Sequence, residues 1–259
     1  MAENSDGDFF GRKIFFLHPS GVIQNRIIGE LAQQEFEVYL VKNHAQLRQI
    51  LKKYPASIVF ANINDGMPEK DWEAWIRGVM TGIPGVDIGI LCSNDDKALR
   101  QKYLSQVKVG CGYTVLKSDL SVAIQELTEI LKTAAAKGRR KFIRLNTESE
   151  TNTTINLPLR GVFINGAIKD ISVVGLSCVF TEDPDLQKNS LFQDIQIKLQ
   201  SQILKAEGII FGSRAEGETK TYVIVFTQRI DPNVRVKIRA YIQQNLQSKM
   251  DAELQGTAG

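Results

Sequence analysis

The chain has 259 residues, 43% of them hydrophobic and 24% charged, which suffices for two modest globular domains or one large one. Its 32 basic and 29 acidic residues leave a net charge of +3, so the composition gives no support for bulk nucleic-acid binding, and any anion site must be local. The longest apolar runs, such as 14–17 and 88–92, are far too short to span a bilayer.

The cysteines, the histidines and the N-terminus indicate a reducing compartment. The three cysteines are an odd number without CxxC spacing, and neither they nor the two histidines form a metal-binding pattern. The first eight residues are acidic and polar, unlike the basic start of a secretory signal. We therefore expect a cytoplasmic protein with no disulfide framework, no metal site, no cofactor and no membrane insertion.

Along the first half of the chain, short apolar runs alternate with segments of helical periodicity. Strands are predicted at 13–17, 37–41, 56–61, 86–92 and 113–116, each followed by a helix. The predicted helix N-caps are Asn43, Asp71, Asn94 or Asp95, and Asp119. Such alternation is typical of a parallel sheet covered on both faces, so we predict a doubly wound, flavodoxin-like α/β domain with five parallel strands.

This first half resembles a response-regulator receiver over roughly residues 12–135. Receiver phosphoryl chemistry requires an acidic pair after the first strand and an acceptor Asp after the third, which together hold Mg²⁺. Here no carboxylate follows the first strand, Asn62 stands at the acceptor position, and Asp65 follows about a turn too late. Ser93 and Lys117-Ser118 match weaker signatures of the family. Because an amide cannot form an acyl phosphate, we predict a pseudo-receiver used for contacts; a generic flavodoxin-like domain is the alternative.

The two halves are joined by an amphipathic helix predicted from Asp119 to about Ala136. Gly138 is suited to end this helix. The link is therefore predicted to be a helix end followed by a short hinge, which divides the chain into domains at residues 1–137 and 138–259.

After Gly138 the period of the apolar residues changes from that of a helix to that of a strand. Strands are predicted at 153–157, 161–171, 176–180, 194–199, 203–211 and 221–227, with a turn-rich loop at 213–220. Short strands in succession predict a small antiparallel barrel. A terminal helix is predicted to begin at Asp231-Pro232 and to end near Lys249, before a frayed tail.

Two motifs of this second half carry complementary chemistry. A basic cluster at 139–144 contains the pattern RxxxR, and the segment 170–175 has the pattern DxSxxG. Guanidinium groups suit phosphates and purine faces, and a carboxylate beside a hydroxyl suits the donor edge of guanine. Glycine permits close backbone approach or positive φ. The candidate ligand-binding residues are Arg139, Arg140, Arg144, Asp170, Ser172 and Gly175.

In this order, the two motifs resemble the PilZ domain, a receptor for cyclic di-GMP, and the resemblance covers nearly all of the second half. It implies a six-stranded antiparallel β-barrel with a terminal helix. It further implies that Arg140 and Arg144 grip the ligand, and that Asp170 and Ser172 contact guanine. Arg139 would contact a second stacked ligand, as in members of the family that bind an intercalated pair.

The resemblance predicts a non-enzymatic second-messenger receptor. Cyclic di-GMP would order the 139–144 segment, change the arrangement of the two domains and alter the binding of an unidentified protein partner. The family implies roles in motility, surface behaviour or virulence. No nucleic-acid partner is expected, because the net charge is small. The sequence has no Ser/His/Asp set, HExxH, P-loop or Rossmann glycine pattern, which argues against an enzyme. The alternatives are a protein-interaction adaptor and a phosphorelay output protein, neither of which binds nucleotide.

Overall fold

The computed structural model describes residues 11–117, 119–217 and 219–256. The chain divides into two compact units. The first comprises the described part of Met1–Lys141 and of Gln247–Gly259, and the second comprises Phe142–Leu246. Within the described residues no helix combines the length and the apolar character needed to cross a membrane.

The first unit is built on a parallel sheet of five strands. Its strands are β1 (Ile14–Leu17), β2 (Val38–Val41), β3 (Ile58–Asn62), β4 (Asp87–Cys92) and β5 (Tyr113–Val115). They lie in the order β2-β1-β3-β4-β5, which is the order of flavodoxin-like folds. Strands β1 and β3 are buried along their whole length, because helices cover both faces of the sheet. The predicted doubly wound α/β architecture is confirmed.

Five helices of this unit follow the strands as the sequence predicts. They are α1 (a π-helical stretch, Ile23–Ile27, continued by Ile28–Gln33), α2 (His44–Lys53), α3 (Glu69–Gly82), α4 (Lys97–Gln101, continued by a π-helical stretch, Lys102–Val107) and α5 (Leu120–Thr133). Asn43 caps α2, accepting hydrogen bonds from the N–H groups of Ala45 and Gln46, and Asp119 caps α5.

Two of the predicted caps are wrong by one to three residues. Helix α3 begins at Glu69 with Pro68 as its N-cap, so Asp71 lies inside its first turn. Pro68 has extended backbone angles and cannot itself continue a helix from the N-terminal side, which sets the start of α3. Helix α4 is capped by Asp96, not by Asn94 or Asp95, since its side chain accepts from the N–H groups of Ala98 and Leu99. Asn94, Asp95 and Asp96 are all residues that cap helices well, so the sequence does not distinguish which of them begins α4.

The N-terminal end of the sheet is tied together by the side chain of Arg12. Its guanidinium bonds the Asp87 carboxylate at 2.7 Å and the backbone carbonyls of Ala56, Ser57, Gly85 and Ala134 at 2.9 to 3.2 Å. These acceptors come from the loops around β3 and β4 and from the turn after α5. One planar fork with five N–H donors thus bonds carbonyls of three separate loops, and it shares the Ser57 carbonyl with the N–H of Asp87.

The second unit is a closed antiparallel barrel of six strands. Its strands are β7 (Thr153–Leu159), β8 (Val162–Ser172), β9 (Gly175–Phe180), β10 (Leu191–Leu199), β11 (Gln202–Glu216) and β12 (Thr219–Phe226), with a short β6 (Leu145–Asn146) beside them. The order is β6-β8-β7-β10-β11-β12-β9, and pairing of β8 with β9 closes the ring. The predicted six-stranded barrel is confirmed, whereas β6 was not predicted.

The turn-rich loop predicted at 213–220 is wrong. Strands β11 and β12 continue through most of it, with Arg214 opposite Thr221 and Glu216 opposite Thr219, and a tight turn at Gly217 joins them. Ser213, Arg214 and Thr219 are exposed on this part of the hairpin, where polar side chains are compatible with strands.

The terminal helix, α6 (Pro232–Gly256), is longer than predicted. Its first turns close the barrel, since Ile238 and Ile242 pack into the apolar core and the Tyr241 hydroxyl lies 2.7 Å from that of Thr153. Its last turns, from Gln247, belong to the first unit. Residues 250–256 are helical, so the predicted frayed tail begins too early. Residues 257–259 of that tail lie outside the described part of the chain.

The last turns of α6 bind the first unit at the free edge of its sheet. The Gln247 side chain accepts from the N–H of Leu40 at 2.8 Å and donates to its carbonyl at 2.9 Å. Glu253 accepts hydrogen bonds from Lys53 and from the Tyr54 hydroxyl at the end of α2. An amide side chain here occupies a hydrogen-bonding position that a sixth strand would take.

Candidate functional site

Strand β6 brings the last arginine of the first motif beside the second motif. Leu145 pairs with Ile171 and Asn146 with Asp170, so the residue before β6, Arg144, lies beside the start of the DxSxxG segment. The Nη1 atom of Arg144 is 3.6 Å from Oδ1 of Asp170, with half of the arginine side chain and a third of the aspartate side chain exposed. A backbone ladder therefore holds a solvent-facing guanidinium next to a carboxylate.

A β-bulge in β8 turns Asp170 out of the core. Ile168 pairs with Cys178 and Asp170 with Ser177, so Lys169 is an extra residue with no counterpart on β9. Strict alternation from the buried Ile168 would have pointed Asp170 inward. The extra residue reverses the alternation, and the next inward side chain is Ile171. The bulge thus places the carboxylate at the surface.

Thr147 holds this bulge in place. Its backbone N–H donates to the Lys169 carbonyl at 2.8 Å, and its hydroxyl donates to the Ile168 carbonyl at 2.6 Å. The side chain is 1% exposed. Because Thr147 directly follows β6, the same short segment that positions Arg144 also stabilises the backbone beneath Asp170.

The Asp170 carboxylate has a second partner within the barrel. The hydroxyl of Ser177, on β9, donates to Oδ2, while Oδ1 faces Arg144. Beneath this pair, burial raises the pKa of the Cys178 thiol to about 12, and the nearby Asp170 charge acts in the same direction. The thiol is therefore a neutral packing group and not a nucleophile.

Ser172 and Gly175 build the turn between β8 and β9. Ser172 is 4% exposed, and its hydroxyl donates to the Gly175 carbonyl at 3.1 Å and lies 3.4 Å from the Val174 N–H, which donates to it. Gly175 has no positive φ; instead, a Cβ at this position would collide with the Ile224 carbonyl oxygen of β12. The glycine thus permits close strand packing, which is one of the two reasons that the sequence suggested for it.

Arg139 and Arg140 lie in the irregular segment between α5 and β6, and both are exposed. The structure brings together Arg144, Asp170, Ser172 and Gly175 in the barrel unit. Arg139 and Arg140 belong to the first compact unit.

This arrangement suits a ligand that is both anionic and rich in hydrogen-bond donors. A guanidinium can bind phosphate or the O6/N7 edge of guanine, and a carboxylate can accept from N1–H and N2–H₂ of the same base. No group of three or more His, Cys, Asp or Glu side chains within the described residues could hold a metal ion.

Two polar residues at the site, Thr147 and Ser177, were missed by the sequence analysis. A signal for the bulge was present, since two polar residues, Lys169 and Asp170, separate the buried Ile168 from the buried Ile171. This break in alternation predicts an extra residue in the strand. No comparable signal marks Ser177, because its role depends on strand register.

In the first unit, His18 and Asn62, the residue at the predicted acceptor position, lie at the carboxyl ends of β1 and β3. The Asn62 side chain is 5% exposed and donates to the His18 carbonyl at 2.9 Å, while the Ser93 N–H donates to the Asn64 side chain at 2.6 Å. Gly66 closes over the His18 ring, since a Cβ there would lie 2.5 Å from Nε2. Burial, followed by His44, lowers the pKa of His18. A neutral amide and a covered imidazole therefore lie at the carboxyl ends of β3 and β1.

The remaining receiver signatures are at the surface or outside the described chain. Lys117 lies two residues beyond β5, with Nζ 3.8 Å from the Asp95 carboxylate, and is largely exposed. Asp65 caps its own turn by accepting from the Gly66 N–H at 2.7 Å. Ser118 lies outside the described residues.

The second unit thus combines a six-stranded barrel, a terminal helix and an Arg–Asp pair at its surface. Residues 138–244 match the family model described as PilZ domain. The chain therefore contains a PilZ domain, as its two motifs predict.

Solved structures that resemble parts of the chain do so at low identity. The PilZ domain with c-di-GMP of YcgR from Escherichia coli is 15% identical, covering 44% of this chain and 98% of that one, with a TM-score of 0.37. The inhibitor of motility MotI/DgrA from Bacillus subtilis is 13% identical over 43% of this chain and about half, 52%, of that one, with a TM-score of 0.37. A response regulator from Thermotoga maritima is 17% identical over 48% and 99%, with a TM-score of 0.40. No curated protein matches the sequence.

Proposed function

We propose that this protein is a non-enzymatic receptor for cyclic di-GMP that acts in the cytoplasm. The observation that carries the proposal is the solvent-facing pair of Arg144 and Asp170, joined by the β6–β8 ladder within a PilZ domain. The pair offers one cationic and one anionic hydrogen-bonding group side by side. Cyclic di-GMP presents phosphates to the first and guanine donor edges to the second.

In this proposal each side chain has a separate task. Arg144 and Arg140 bind phosphate or the guanine O6/N7 edge, and Arg139 contacts a second, stacked ligand. Asp170 accepts from guanine N1–H and N2–H₂, the donors that distinguish guanine from adenine. Ser172 and Gly175 contribute through the turn that they form, because the Ser172 hydroxyl is buried and bonded to the backbone.

The existing Arg144–Asp170 ion pair does not prevent ligand binding. Its charged atoms are 3.6 Å apart and both side chains face water. Exposed pairs of this kind stabilise a protein by roughly 0–1 kcal/mol. Each charge-assisted hydrogen bond to a ligand contributes about 1.5–3 kcal/mol. Replacing the contact between Arg144 and Asp170 by contacts with the ligand therefore favours the complex.

The biological response follows from where the basic cluster lies in the chain. Residues 139–144 connect α5 to β6, so a ligand that orders them restrains the connection between the units. The bound state then favours one arrangement of the units and changes the binding of a protein partner. Motility, surface behaviour and virulence are the processes that we propose to be regulated.

Isothermal titration calorimetry of the full chain with cyclic di-GMP tests the proposal. The wild type is expected to release or absorb heat at micromolar ligand. Arg144→Ala is expected to weaken binding by one to two decades, about 1.5–3 kcal/mol, because a charge-assisted contact is lost. Arg229→Ala is the matched control, since Arg229 is exposed between β12 and α6 and its loss changes the net charge equally. Absence of binding by the wild type would refute the proposal.

A further inference from the structure

Ser177 is a polar residue in a strand that is otherwise apolar. Its neighbours Leu176 and Cys178 are buried, and Ser177 itself is only 7% exposed. A hydroxyl in such a place must have a hydrogen-bond partner, and here it donates to Oδ2 of Asp170. The hydroxyl therefore contacts the carboxylate that the proposed function assigns to guanine.

This contact exists because of the bulge at Lys169. The extra residue brings Asp170 directly opposite Ser177 across the β8–β9 pair. Residues that face each other across antiparallel strands have Cβ atoms about 4.5–5.5 Å apart, so short polar side chains can meet. Thr147 holds the bulge from the other side, which keeps this register.

We propose that Ser177 is a positioning residue that holds the Asp170 carboxylate in the orientation that accepts both donors of a guanine edge. The inference rests on the proposed function and names a further determinant of its specificity. A carboxylate has about four lone-pair sites, so Oδ2 can accept from Ser177 and still accept from the ligand. With Oδ2 fixed by β9, Oδ1 faces the solvent side where Arg144 lies. Without the hydroxyl, the carboxylate rotates about χ2 and only part of its population matches guanine.

A merely structural hydroxyl would behave differently. If Ser177 only satisfied its own buried hydroxyl, its removal would change stability and would weaken every ligand alike. A positioning role instead affects the contacts that need both carboxylate oxygens. Cyclic di-GMP presents N1–H and N2–H₂, whereas its inosine analogue, cyclic di-IMP, presents only N1–H. The ratio of the two dissociation constants therefore separates the two roles.

The test is calorimetric titration of the full-length wild type, Ser177→Ala, Ser177→Thr and Thr181→Ala with both dinucleotides. Ser177→Ala is expected to weaken cyclic di-GMP about tenfold and cyclic di-IMP about threefold or less, since one of the two contacts is absent from the analogue. Ser177→Thr restores a hydroxyl and is expected to bind like the wild type. Thr181→Ala is the matched control, because Thr181 bonds the Asn165 carbonyl across the same pair of strands, away from Asp170.

The outcomes are distinct. The inference is wrong if Ser177→Ala binds cyclic di-GMP within twofold of the wild type, or if it weakens both dinucleotides by the same factor. It is also wrong if Ser177→Thr binds as weakly as Ser177→Ala while Thr181→Ala binds normally. A wild type that binds neither dinucleotide refutes the proposed function itself, and this inference with it.

Discussion

Thr147 shows how one small side chain can support two functional groups. It follows the strand that positions Arg144, and it donates to two successive carbonyls of the bulge that positions Asp170. Bulges near functional sites re-aim side chains, but they leave backbone groups unpaired. Here a buried threonine supplies the missing donors, so the geometry of the pair depends on a residue that need not contact the ligand.

Replacing Thr147 by valine keeps the shape of the side chain and removes only the hydroxyl. The Ile168 carbonyl then loses its donor, and the free energy of unfolding is expected to fall by about 1–3 kcal/mol. Affinity for cyclic di-GMP is expected to fall as well, because the bulge relaxes. Urea denaturation and calorimetry measure the two effects. A Thr154→Val variant, at a half-buried site of β7 facing away from the bulge, serves as the control. Unchanged stability and affinity of the Thr147 variant would contradict this role.

Arg12 has an equivalent role in the first unit. Its guanidinium joins four backbone carbonyls and the Asp87 carboxylate, and its side chain is 15% exposed. Removing it takes this donor away from four carbonyls and from the half-exposed Asp87 carboxylate, and the loops lose the group that connects them.

Arg12→Ala is expected to lower the free energy of unfolding by at least about 2 kcal/mol, because unsatisfied acceptors and lost charge-assisted bonds add together. Arg77→Ala is the matched control, since Arg77 forms an exposed i,i+4 pair with Glu73 on α3 and such pairs contribute about 0.3–0.5 kcal/mol. Chemical denaturation measures both. Equal effects of the two variants would show that Arg12 does not tie the loops together.

At the residue scale, the sequence predicts side chains whose chemistry is distinctive. Arg144 and Asp170 were found because their types and order form a motif, and the structure places them 3.6 Å apart. Thr147 and Ser177 were not predicted as site residues. A lone hydroxyl is common in a sequence, and its hydrogen-bond partner depends on the strand register. The participation of the predicted site residues in ligand binding stays a prediction.

At the scale of elements, the first position of β9, Gly175, leaves no room for a side chain. Strand β12 runs so close that its Ile224 carbonyl occupies the place of a Cβ. The strands β8, β9 and β12 meet here, at the seam where β8 and β9 close the barrel. Close packing at this seam depends on glycine.

Gly175→Ala is therefore expected to lower the free energy of unfolding by about 1–3 kcal/mol, because the strands must separate. Gly212→Ala is a matched control on β11, where an added Cβ meets nothing within 4 Å and φ is not positive. That variant is expected to be as stable as the wild type or slightly more so, since alanine has less freedom in the unfolded chain. Denaturant titration compares them, and similar losses in both variants would contradict the packing argument.

Elements with strong periodicity were predicted correctly, and elements defined by pairing were not. The five parallel strands and the six strands of the barrel have clear apolar patterns. Strand β6 has two residues and no pattern of its own; it exists because β8 offers it a free edge. The outer part of the β11–β12 hairpin is rich in polar residues, so its composition resembles a loop although residues 213–216 pair with residues 219–222.

At the scale of the whole molecule, α6 contributes to both compact units. Its first turns pack into the barrel core and its last turns bind the first unit. The sequence predicted the helix but not its last two turns, because their apolar residues, Met250 and Leu254, are few and widely spaced. Tertiary contacts stabilise these turns, and single-sequence periodicity does not report such contacts.

The contact of Glu253 with Lys53 and Tyr54 makes the attachment of the last turns dependent on pH. Burial acts to raise the pKa of Glu253, but the hydrogen bonds from Lys53 and Tyr54 outweigh it and lower the pKa below its ordinary value. A depressed folded-state pKa stabilises the fold above the unfolded value, near pH 4.3, and this stabilisation is lost as the pH falls through the folded value.

Glu253→Gln is expected to lower the melting temperature by about 2 °C at pH 7, because a partly exposed ion pair contributes less than about 1 kcal/mol. The difference from the wild type is expected to close as the pH falls below about 4. Glu129→Gln is the control, since Glu129 pairs with Lys132 on an exposed face of α5. Thermal melts monitored by circular dichroism measure the difference in melting temperature between the wild type and Glu253→Gln. A difference that grows on acidification would contradict a lowered pKa of Glu253.

The two hydrogen bonds between Gln247 and Leu40 also affect what the edge of the parallel sheet can bind. An open β-edge is a template on which another chain can add a strand, and many proteins block such edges with charges, prolines or bulges. Here one glutamine side chain on α6 takes both backbone groups of Leu40. At this position of β2 an incoming strand would therefore have to displace the helix before it could pair with the sheet.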